Sequence, residues 1–257
     1  HWPLQDMVLR NDGRGRFTSA PLRTEADRTY SAALADLDGD GDLDIVASND
    51  RPDQKLVYLN DGTGRFSVAG TFGAPEWSTR YVTVADLDGD ARPDLIVANR
   101  SGGTGTGRPS YVCMNDGKGA FPVCTPLATQ SATIIVAADL DRDGAVDLFV
   151  PHRDGGRNMV FFNDGKGAFG LPPVLIGPGR SSIRAAAAGD VDGDGIMDLL
   201  VGDVAAGLFV YLGAGGRAFA EPVMLSAGTI TPGAVAIADL NRDGLLDVVV
   251  GNDQLPG

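Results

Sequence analysis

The sequence predicts an all-β fold, a five-bladed β-propeller of four-stranded blades, and three observations support that prediction. An aspartate-rich motif recurs five times along the 257 residues, at intervals of roughly fifty. A glycine-rich motif alternates with it. Between the motifs lie short runs of small and β-branched residues, which are typical of radially repeated sheets. We therefore expect residues 1–257 to form a single domain of five repeats.

The aspartate motif has the pattern Asp-x-Asp-x-Asp-Gly-x-x-Asp. It spans residues 36–44, 86–94, 139–147, 190–198 and 239–247, and successive copies begin 50, 53, 51 and 49 residues apart. A nearly constant period indicates that each copy belongs to one structural unit, and that the units stack on their neighbours.

The glycine-rich motif is Asn-Asp-Gly-x-Gly-x-Phe. It spans residues 11–17, 60–66, 115–121 and 163–169, while a fifth copy at 213–219 keeps the spacing and the Phe but lacks Asn-Asp. Glycine supplies the positive φ that a hairpin turn requires. We expect this turn to join the third strand of each blade to a fourth strand that begins at the Phe.

The residues around the aspartate motif predict the other strands. A run of small residues such as Ser31–Ala35 precedes the motif and suits a crowded inner strand near a central axis. A β-branched run such as Leu43–Ala47 follows it and is typical of a buried strand. A third run, for example Leu56–Leu59, leads into the glycine-rich turn.

The ring is predicted to close by joining the two ends of the chain. Asp6–Leu9 has the pattern of a third strand and Val248–Val250 that of a second strand. Pairing them would remove two exposed sheet edges. We therefore predict that the N-terminal strands complete the last blade; a fragment of a larger ring is the alternative.

The aspartate motif also predicts a calcium site. Ca²⁺ takes six to eight hard oxygen ligands. Positions one, three and five can offer side-chain oxygens, position seven its backbone carbonyl, and position nine a closing carboxylate, while Gly at position six allows the sharp turn. The predicted ligands are Asp36, Asp38, Asp40, Asp42 and Asp44; Asp86, Asp88, Asp90, Arg92 and Asp94; Asp139, Asp141, Asp143, Ala145 and Asp147; Asp190, Asp192, Asp194, Ile196 and Asp198; Asp239, Asn241, Asp243, Leu245 and Asp247.

Two of the five loops depart from the pattern. Ala91 takes the place of the glycine, where a positive φ would strain it. Asn241 keeps an oxygen but loses a charge. We expect both loops to bind calcium more weakly than the other three. Up to five structural Ca²⁺ ions are predicted, rather than a catalytic metal or Mg²⁺, which favours water-rich octahedral coordination; ordinary Asp-Gly turns are the alternative.

The paired motifs resemble FG-GAP/VCBS repeats, the family that includes the integrin α-subunit propeller. The resemblance covers essentially the whole chain and implies calcium at the aspartate loops, on one face of the ring, in an extracellular setting. The family spans adhesion receptors, fungal lectins and polysaccharide lyases, so it leaves the ligand open. Integrin-like rings have seven blades, and five repeats are a departure from them.

Charge and composition exclude several classes of function. The net charge of −13 argues against binding to nucleic acid, which requires a basic face. Five bound divalent ions would bring the charge of −13 to about −3. No apolar run approaches the roughly 20 residues that span a bilayer. The first residue is His1, as in a processed or trimmed form. The resemblance implies a secreted, cell-surface or periplasmic location.

Two cysteines flank a predicted hairpin turn centred on Lys118 and Gly119. Folding that hairpin would place Cys113 opposite Cys124. A cross-strand disulfide would suit an oxidising compartment, and two buried free thiols are the alternative.

Outside the loops, the sequence favours recognition over catalysis. The blade-connecting segments vary most and are the expected site of a protein or glycan ligand. Trp77 with Arg80 and Arg28 is a candidate patch, unless the Trp is wedged between blades. A lyase would use His152, or Arg80 with Tyr81, but no nucleophile motif accompanies them. We expect a binding, adhesion or structural module without catalytic residues, with a lyase or a lectin as alternatives and the oligomeric state open.

Overall fold

The computed structural model describes residues 4–101, 108–128, 131–170, 172–227 and 230–253, and all regular structure within them is β. Four antiparallel sheets have four strands each and three sheets have two. No helix in these ranges is long and apolar enough to cross a membrane.

The four-stranded sheets are named blades A to D in chain order. Blade A contains β3 (Thr29–Ala35), β4 (Asp44–Asn49), β5 (Lys55–Asn60) and β6 (Phe66–Phe72). Blade B contains β7 (Thr79–Ala85), β8 (Asp94–Asn99), β9 (Tyr111–Met114) and β10 (Val123–Pro126). Blade C contains β11 (Val136–Ala138), β12 (Asp147–Val150), β13 (Gly156–Phe161) and β14 (Val174–Ser181). Blade D contains β15 (Ile183–Gly189), β16 (Asp198–Asp203), β17 (Gly207–Tyr211) and β20 (Val223–Ala227).

The two-stranded sheets lie before, within and after this array. They pair β1 (Met7–Asn11) with β2 (Phe17–Pro21), β18 (Gly213–Gly215) with β19 (Ala218–Phe219), and β21 (Pro232–Ala238) with β22 (Asp247–Asn252).

The blades are arranged side by side through their first strands. Strands β3, β7, β11, β15 and β21 are successive neighbours, and their small side chains let the backbones approach, as predicted. Every residue of the second strands β4, β8, β12 and β16 is buried. The core lies between blades: Val57 of blade A packs with Leu95 of blade B, and Val160 of blade C with Val201 of blade D.

Only some of the fourth strands begin at the residue that the sequence predicts. Strands β2 and β6 start at the motif phenylalanines, Phe17 and Phe66. In blades B, C and D the fourth strand starts later, directly after Pro122, Pro173 and Pro222. Proline has no N–H to donate to a strand ladder. The prediction that every fourth strand begins at the Phe is therefore wrong for these three blades.

The two halves of the predicted last blade are separate sheets. Among the described residues β22 does not pair with β1. Val8 of β1 packs against blade A, and Val248 of β22 packs against blade D. Leu9 and Val249 remain 64% and 47% exposed. The described residues thus form four complete blades, and closure into a five-bladed ring stays a prediction.

The predicted disulfide is confirmed. Cys113 in β9 and Cys124 in β10 are direct partners in the strand register, and they form a disulfide with a Cα–Cα distance of 4.0 Å. The bond joins the third and fourth strands of blade B.

Candidate metal loops

Each aspartate loop joins the first strand of a blade to its second strand and is folded by its own carboxylates. The loops are numbered 1 to 5 in chain order: 36–44, 86–94, 139–147, 190–198 and 239–247. In loop 1, Asp36 accepts hydrogen bonds from the backbone N–H groups of Gly39 (2.8 Å) and Gly41 (2.9 Å). Both glycines have positive φ, 80° and 92°. Asp40 accepts the N–H of Asp42 at 2.9 Å, so the loop curls around its acidic side chains.

Position nine is a buried carboxylate that binds the backbone at two points. Asp44 is 0% exposed; its Oδ2 accepts the N–H of Leu37 and its Oδ1 the N–H of Asn60, both at 2.8 Å. The same pair of bonds occurs in loops 2, 3 and 4, at Asp94, Asp147 and Asp198. The carboxylate therefore joins the loop to the start of the glycine-rich turn of its own blade. This structural role was not anticipated from the sequence.

Burial of these carboxylates makes their charge costly. Desolvation raises the pKa of Asp44, Asp94 and Asp198, although the backbone hydrogen bonds partly oppose it. The pKa of Asp147 rises to about 6, because burial is reinforced by repulsion from Asp141 and Asp143. The loops thus hold negative charge that a nearby cation would stabilise.

Carboxylates from one loop converge in four of the five loops. Three carboxylate oxygens lie within 4.8 Å of one another in each group: Asp36, Asp38 and Asp40; Asp86, Asp88 and Asp90; Asp139, Asp141 and Asp147; Asp190, Asp192 and Asp194. Among the described residues, loop 5 forms no such triple, because Asn241 replaces the second carboxylate. Its Nδ2 donates to Asp243 Oδ2 at 3.0 Å.

Loop 2 is strained at the predicted position. Ala91 has a φ of 65°, in the left-handed region that favours glycine. Its N–H still donates to Asp86 Oδ2 at 2.9 Å, as the glycine does in loop 1. The alanine therefore preserves the shape of the loop at a cost in backbone energy.

The asparagine of the glycine-rich turn connects neighbouring blades, a role that the sequence did not reveal. Asn115 of blade B donates its Nδ2 to Leu37 O of loop 1 at 3.0 Å, and its backbone N–H binds Asp94 Oδ1 of loop 2 at 2.8 Å. Asn163 of blade C repeats this arrangement, donating to Leu87 O at 2.7 Å. Hydrogen bonds thus run from loop 1 to loop 2 to loop 3.

His152 and Arg80, the residues considered for catalysis, make contacts within the fold. His152 is 9% exposed, and its ring lies so close to Gly156 that a Cβ there would be about 2.4 Å away. Burial lowers its pKa. Arg80 forms an ion pair with Asp50 at 2.9 Å and lies over the Tyr30 ring, 4.1 Å from its centroid.

The candidate binding patch of Trp77, Arg80 and Arg28 does not present an exposed aromatic ring. Trp77 is only 6% exposed and stacks on Tyr111 with ring centroids 3.9 Å apart. Its carbonyl accepts a hydrogen bond at 2.8 Å from the ammonium of Lys55, which is itself fully buried. Trp77 is therefore part of the core between blades A and B, so the hypothesis of an exposed aromatic patch is wrong.

A cavity of about 430 Å³ lies between blades C and D. Phe209 and Tyr211 form aromatic walls, and Asp203 and Glu221 contribute carboxylates. Gly177 keeps the cavity open, because a Cβ there would be 2.7 Å from Tyr211 Oη and 3.3 Å from the Nδ2 of buried Asn158. That Nδ2 has no hydrogen-bond partner. The cavity thus combines aromatic surface with polar groups, and no sequence signal marked it.

Comparisons with known proteins agree with this architecture. Over 187 residues the chain is 28% identical to integrin alpha pat-2 of Caenorhabditis elegans and 27% identical to integrin alpha pat-2 of Caenorhabditis briggsae. These alignments cover 69% of this chain and 13% of each relative, so the chain spans a small part of their length.

Two solved structures share the fold at low sequence identity. One is an Agrocybe aegerita lectin that recognises non-reducing terminal N-acetylglucosamine, with a TM-score of 0.64 and 19% identity, covering 94% of this chain and 67% of the lectin. The other is BBS1N in complex with ARL6DN, with a TM-score of 0.55 and 14% identity, covering 88% of this chain and 63% of that one.

The family model of the FG-GAP-like repeat matches residues 5–47, 36–97 and 139–201, together more than half of the chain. Those ranges include the aspartate loops 1 to 4 that the structure places in successive blades. The chain is therefore a β-propeller protein and belongs to the FG-GAP-like repeat family.

Proposed function

We propose that this chain is a calcium-stabilised extracellular β-propeller module that binds a protein or glycan ligand. The observation that supports calcium best is the convergence of three carboxylate oxygens within 4.8 Å in each of four loops. Two oxygens on opposite sides of a Ca²⁺ ion, each at roughly 2.4 Å, lie about that far apart. The groups therefore have the size that the ion requires.

The donor set of the loops also fits calcium. Every predicted donor is an oxygen, and in loop 3 the buried Oδ1 of Asp139 has no hydrogen-bond partner. An unpaired buried carboxylate oxygen is destabilising, and a divalent cation would relieve that cost. We propose that positions one, three, five, seven and nine hold the ion in each loop, from Asp36 in loop 1 to Asp247 in loop 5.

The proposed role of the ion is structural. A bound ion supplies positive charge between carboxylates where the first and second strands of a blade diverge. The position-nine aspartate connects each of loops 1 to 4 to the end of the third strand or the turn of its own blade, and the turn asparagines of blades B and C connect them to the preceding loop. An extracellular or periplasmic location is supported by the disulfide, which persists in oxidising compartments.

Direct binding measurements test the calcium proposal. We expect the protein to retain calcium through desalting, and the variants Asp36→Asn and Asp190→Asn each to lose about one equivalent by elemental analysis. Asp61→Asn is the matched control, because Asp61 is an exposed aspartate that binds the backbone of a glycine-rich turn. Calcium content at background, or equal in Asp36→Asn and wild type, would contradict the proposal.

We also propose that β1–β2 and β21–β22 form a fifth blade that closes the ring. The residue at position two of each loop supports this: Leu37 and Leu87 are 1% exposed beneath the next blade, whereas Leu240 is 63% exposed. A closed ring would cover Leu240 in the same way.

Leucine truncation distinguishes a closed from an open ring. If the ring closes in solution, Leu240→Ala should destabilise the protein by about 2–5 kcal/mol, as buried leucines do. Leu175→Ala is the control, since Leu175 is 48% exposed in the fourth strand of blade C, which is flanked by two complete blades. Equal and small effects of the two substitutions on urea unfolding would show that the ring is open.

A glycan is favoured as the ligand by the cavity between blades C and D. Its aromatic walls suit the C–H faces of a sugar, while the carboxylates of Asp203 and Glu221 suit its hydroxyl groups. The similarity in fold to the Agrocybe aegerita lectin supports this ligand class. The alternative of a lyase has less support, because His152 is buried and Arg80 is paired with Asp50.

Blocking the cavity tests the glycan proposal. Ala220 is an exposed residue lining the cavity, and Ala218 is exposed but does not line it. On a glycan array, Ala220→Trp should lose binding by at least roughly tenfold while Ala218→Trp binds like the wild type. Retention of every bound glycan by Ala220→Trp would rule out this cavity.

A further inference from the structure

The last glycine-rich turn carries an arginine at a position where the other turns have glycine. The corresponding residues are Gly15, Gly64, Gly119 and Gly167, with φ between 73° and 76°. Arg217 adopts the same left-handed conformation, with a φ of 69°. This conformation is unfavourable for any residue with a Cβ, and it persists where interactions with the surrounding structure stabilise it. Contacts of the arginine side chain are therefore expected to stabilise this turn.

This position of the turn faces the metal loop of the preceding blade. A Cβ on Gly167 in blade C would lie 3.6 Å from the Cβ of Asp88, at position three of loop 2. In blade D the side chain of Arg217 extends in the equivalent direction. Its Nε donates to Asp141 Oδ2, at position three of loop 3, over 2.5 Å.

The guanidinium contacts a second candidate ligand and an aromatic ring. Its Nη2 lies 3.5 Å from Asp143 Oδ2, at position five of the same loop. Its carbon lies 4.9 Å from the centroid of the Phe162 ring. The Asp141 side chain is only 6% exposed, so this ion pair is well shielded on the carboxylate side. Arg217 thus binds two of the carboxylates that would coordinate an ion in loop 3.

Arg217 also lies in the turn that lacks the hydrogen bond from a turn asparagine to the preceding loop. Asn115 and Asn163 each donate an amide hydrogen to the loop of the preceding blade. The last turn has Gly213 in place of this asparagine, and glycine offers no amide side chain. The guanidinium supplies a connection from blade D to loop 3 in its place.

Loop 3 also differs from loops 1 and 4 in its internal hydrogen bonds. In loops 1 and 4, Oδ1 of the position-one aspartate accepts the N–H of Gly39 or Gly193. The equivalent oxygen in loop 3, Asp139 Oδ1, is buried and has no partner. The guanidinium therefore compensates Asp141 and Asp143 but leaves Asp139 to be satisfied by an ion.

We propose that Arg217 acts as an internal cation that competes with a divalent ion for loop 3. Without the ion it joins blade D to blade C, and it lowers the calcium affinity of loop 3 below that of loops 1 and 4. This inference rests on the calcium sites proposed above. It separates loop 3 from loops 1 and 4, with which the sequence groups it because its ligand set is complete.

Two variants separate the charge of Arg217 from its backbone conformation. Arg217→Gln keeps the left-handed non-glycine residue but removes the charge, whereas Arg217→Gly restores the residue found in the other turns. Arg65→Gln is the matched control, because Arg65 is an exposed arginine in the turn of blade A. A role in backbone strain alone would make Arg217→Gly more stable than wild type under all conditions.

Calorimetric calcium titrations and thermal unfolding in chelator provide the two measurements. We expect both Arg217 variants to bind one ion at least about tenfold more tightly than wild type, and Arg65→Gln to match wild type. In chelator, Arg217→Gln should melt at least about 2 °C below wild type, a difference that shrinks when calcium is added. Arg217→Gly should lose less, because glycine also relieves the strain of the left-handed conformation.

The outcomes distinguish this inference from the calcium proposal. If wild type binds calcium and both Arg217 variants give the same isotherm, the competition is refuted while the calcium sites stand. If no variant binds calcium, the competition fails together with those sites. If Arg217→Gln melts in chelator like wild type, the proposed connection between blades C and D is refuted.

Discussion

Removing divalent ions is expected to lower the melting temperature of this protein by at least about 10 °C. An ion that binds only the folded state at a hundred times its dissociation constant contributes about 2.7 kcal/mol. Two such loops already contribute about 5 kcal/mol, and each kcal/mol shifts the melting temperature of a domain this large by roughly 2–4 °C. The physical reason is repulsion between the carboxylates of each loop. In the part of the chain that the structure describes, no arginine or lysine forms an ion pair with loop 1 or loop 4, so a bound ion would relieve that repulsion.

The measurement is a pair of thermal scans, with calcium and with a chelator, followed by circular dichroism. The double variant Asp36→Asn with Asp190→Asn is the control, because it lacks one carboxylate in each of those loops. Its response to the chelator should be markedly smaller than that of wild type. If the wild-type scans with calcium and with chelator coincide, no ion bound in the loops stabilises the fold.

Truncating a position-nine aspartate should destabilise the protein even when no metal is present. Asp44→Ala removes the acceptor of two backbone N–H groups, those of Leu37 and Asn60, and leaves the donors without it. Hydrogen bonds to a charged group contribute about 1.5–3 kcal/mol each. We expect a loss of at least about 3 kcal/mol in the free energy of unfolding, measured with urea in the presence of chelator.

Asp40→Ala is the matched control in the same loop. Asp40 is exposed, and its described hydrogen bond is to the N–H of Asp42 within the loop. In chelator it should cost less than about 1 kcal/mol. If Asp44→Ala and Asp40→Ala have equal effects in chelator and differ only with calcium, position nine acts as a metal ligand alone.

The network of loops and turns gives the metal sites a route to neighbouring blades. Asn115 binds Asp94 of its own blade and Leu37 O of the preceding one. Order in one loop therefore favours the geometry of the next. The continuity from loop 1 to loop 3 depends on asparagines, and from loop 3 to blade D on Arg217.

The local features of this protein were predictable from its sequence. The short range of their interactions explains this: the loop at Asp36–Asp44 folds through its own backbone N–H groups, and the turn glycines adopt the positive φ that their pattern indicates. The disulfide between Cys113 and Cys124 follows from the hairpin between them. The late start of the fourth strand after Pro122 could also have been predicted, since proline has no N–H to donate to a strand ladder.

The contacts between blades were decided only by the tertiary structure. Trp77 stacks on Tyr111, Arg217 binds Asp141, and a cavity opens beside Gly177 because elements distant in the chain lie next to one another. A repeat specifies how each blade folds by itself. Which side chains meet across two blades depends on their packing, because each copy of the repeat has diverged differently at the surface it shares with the next.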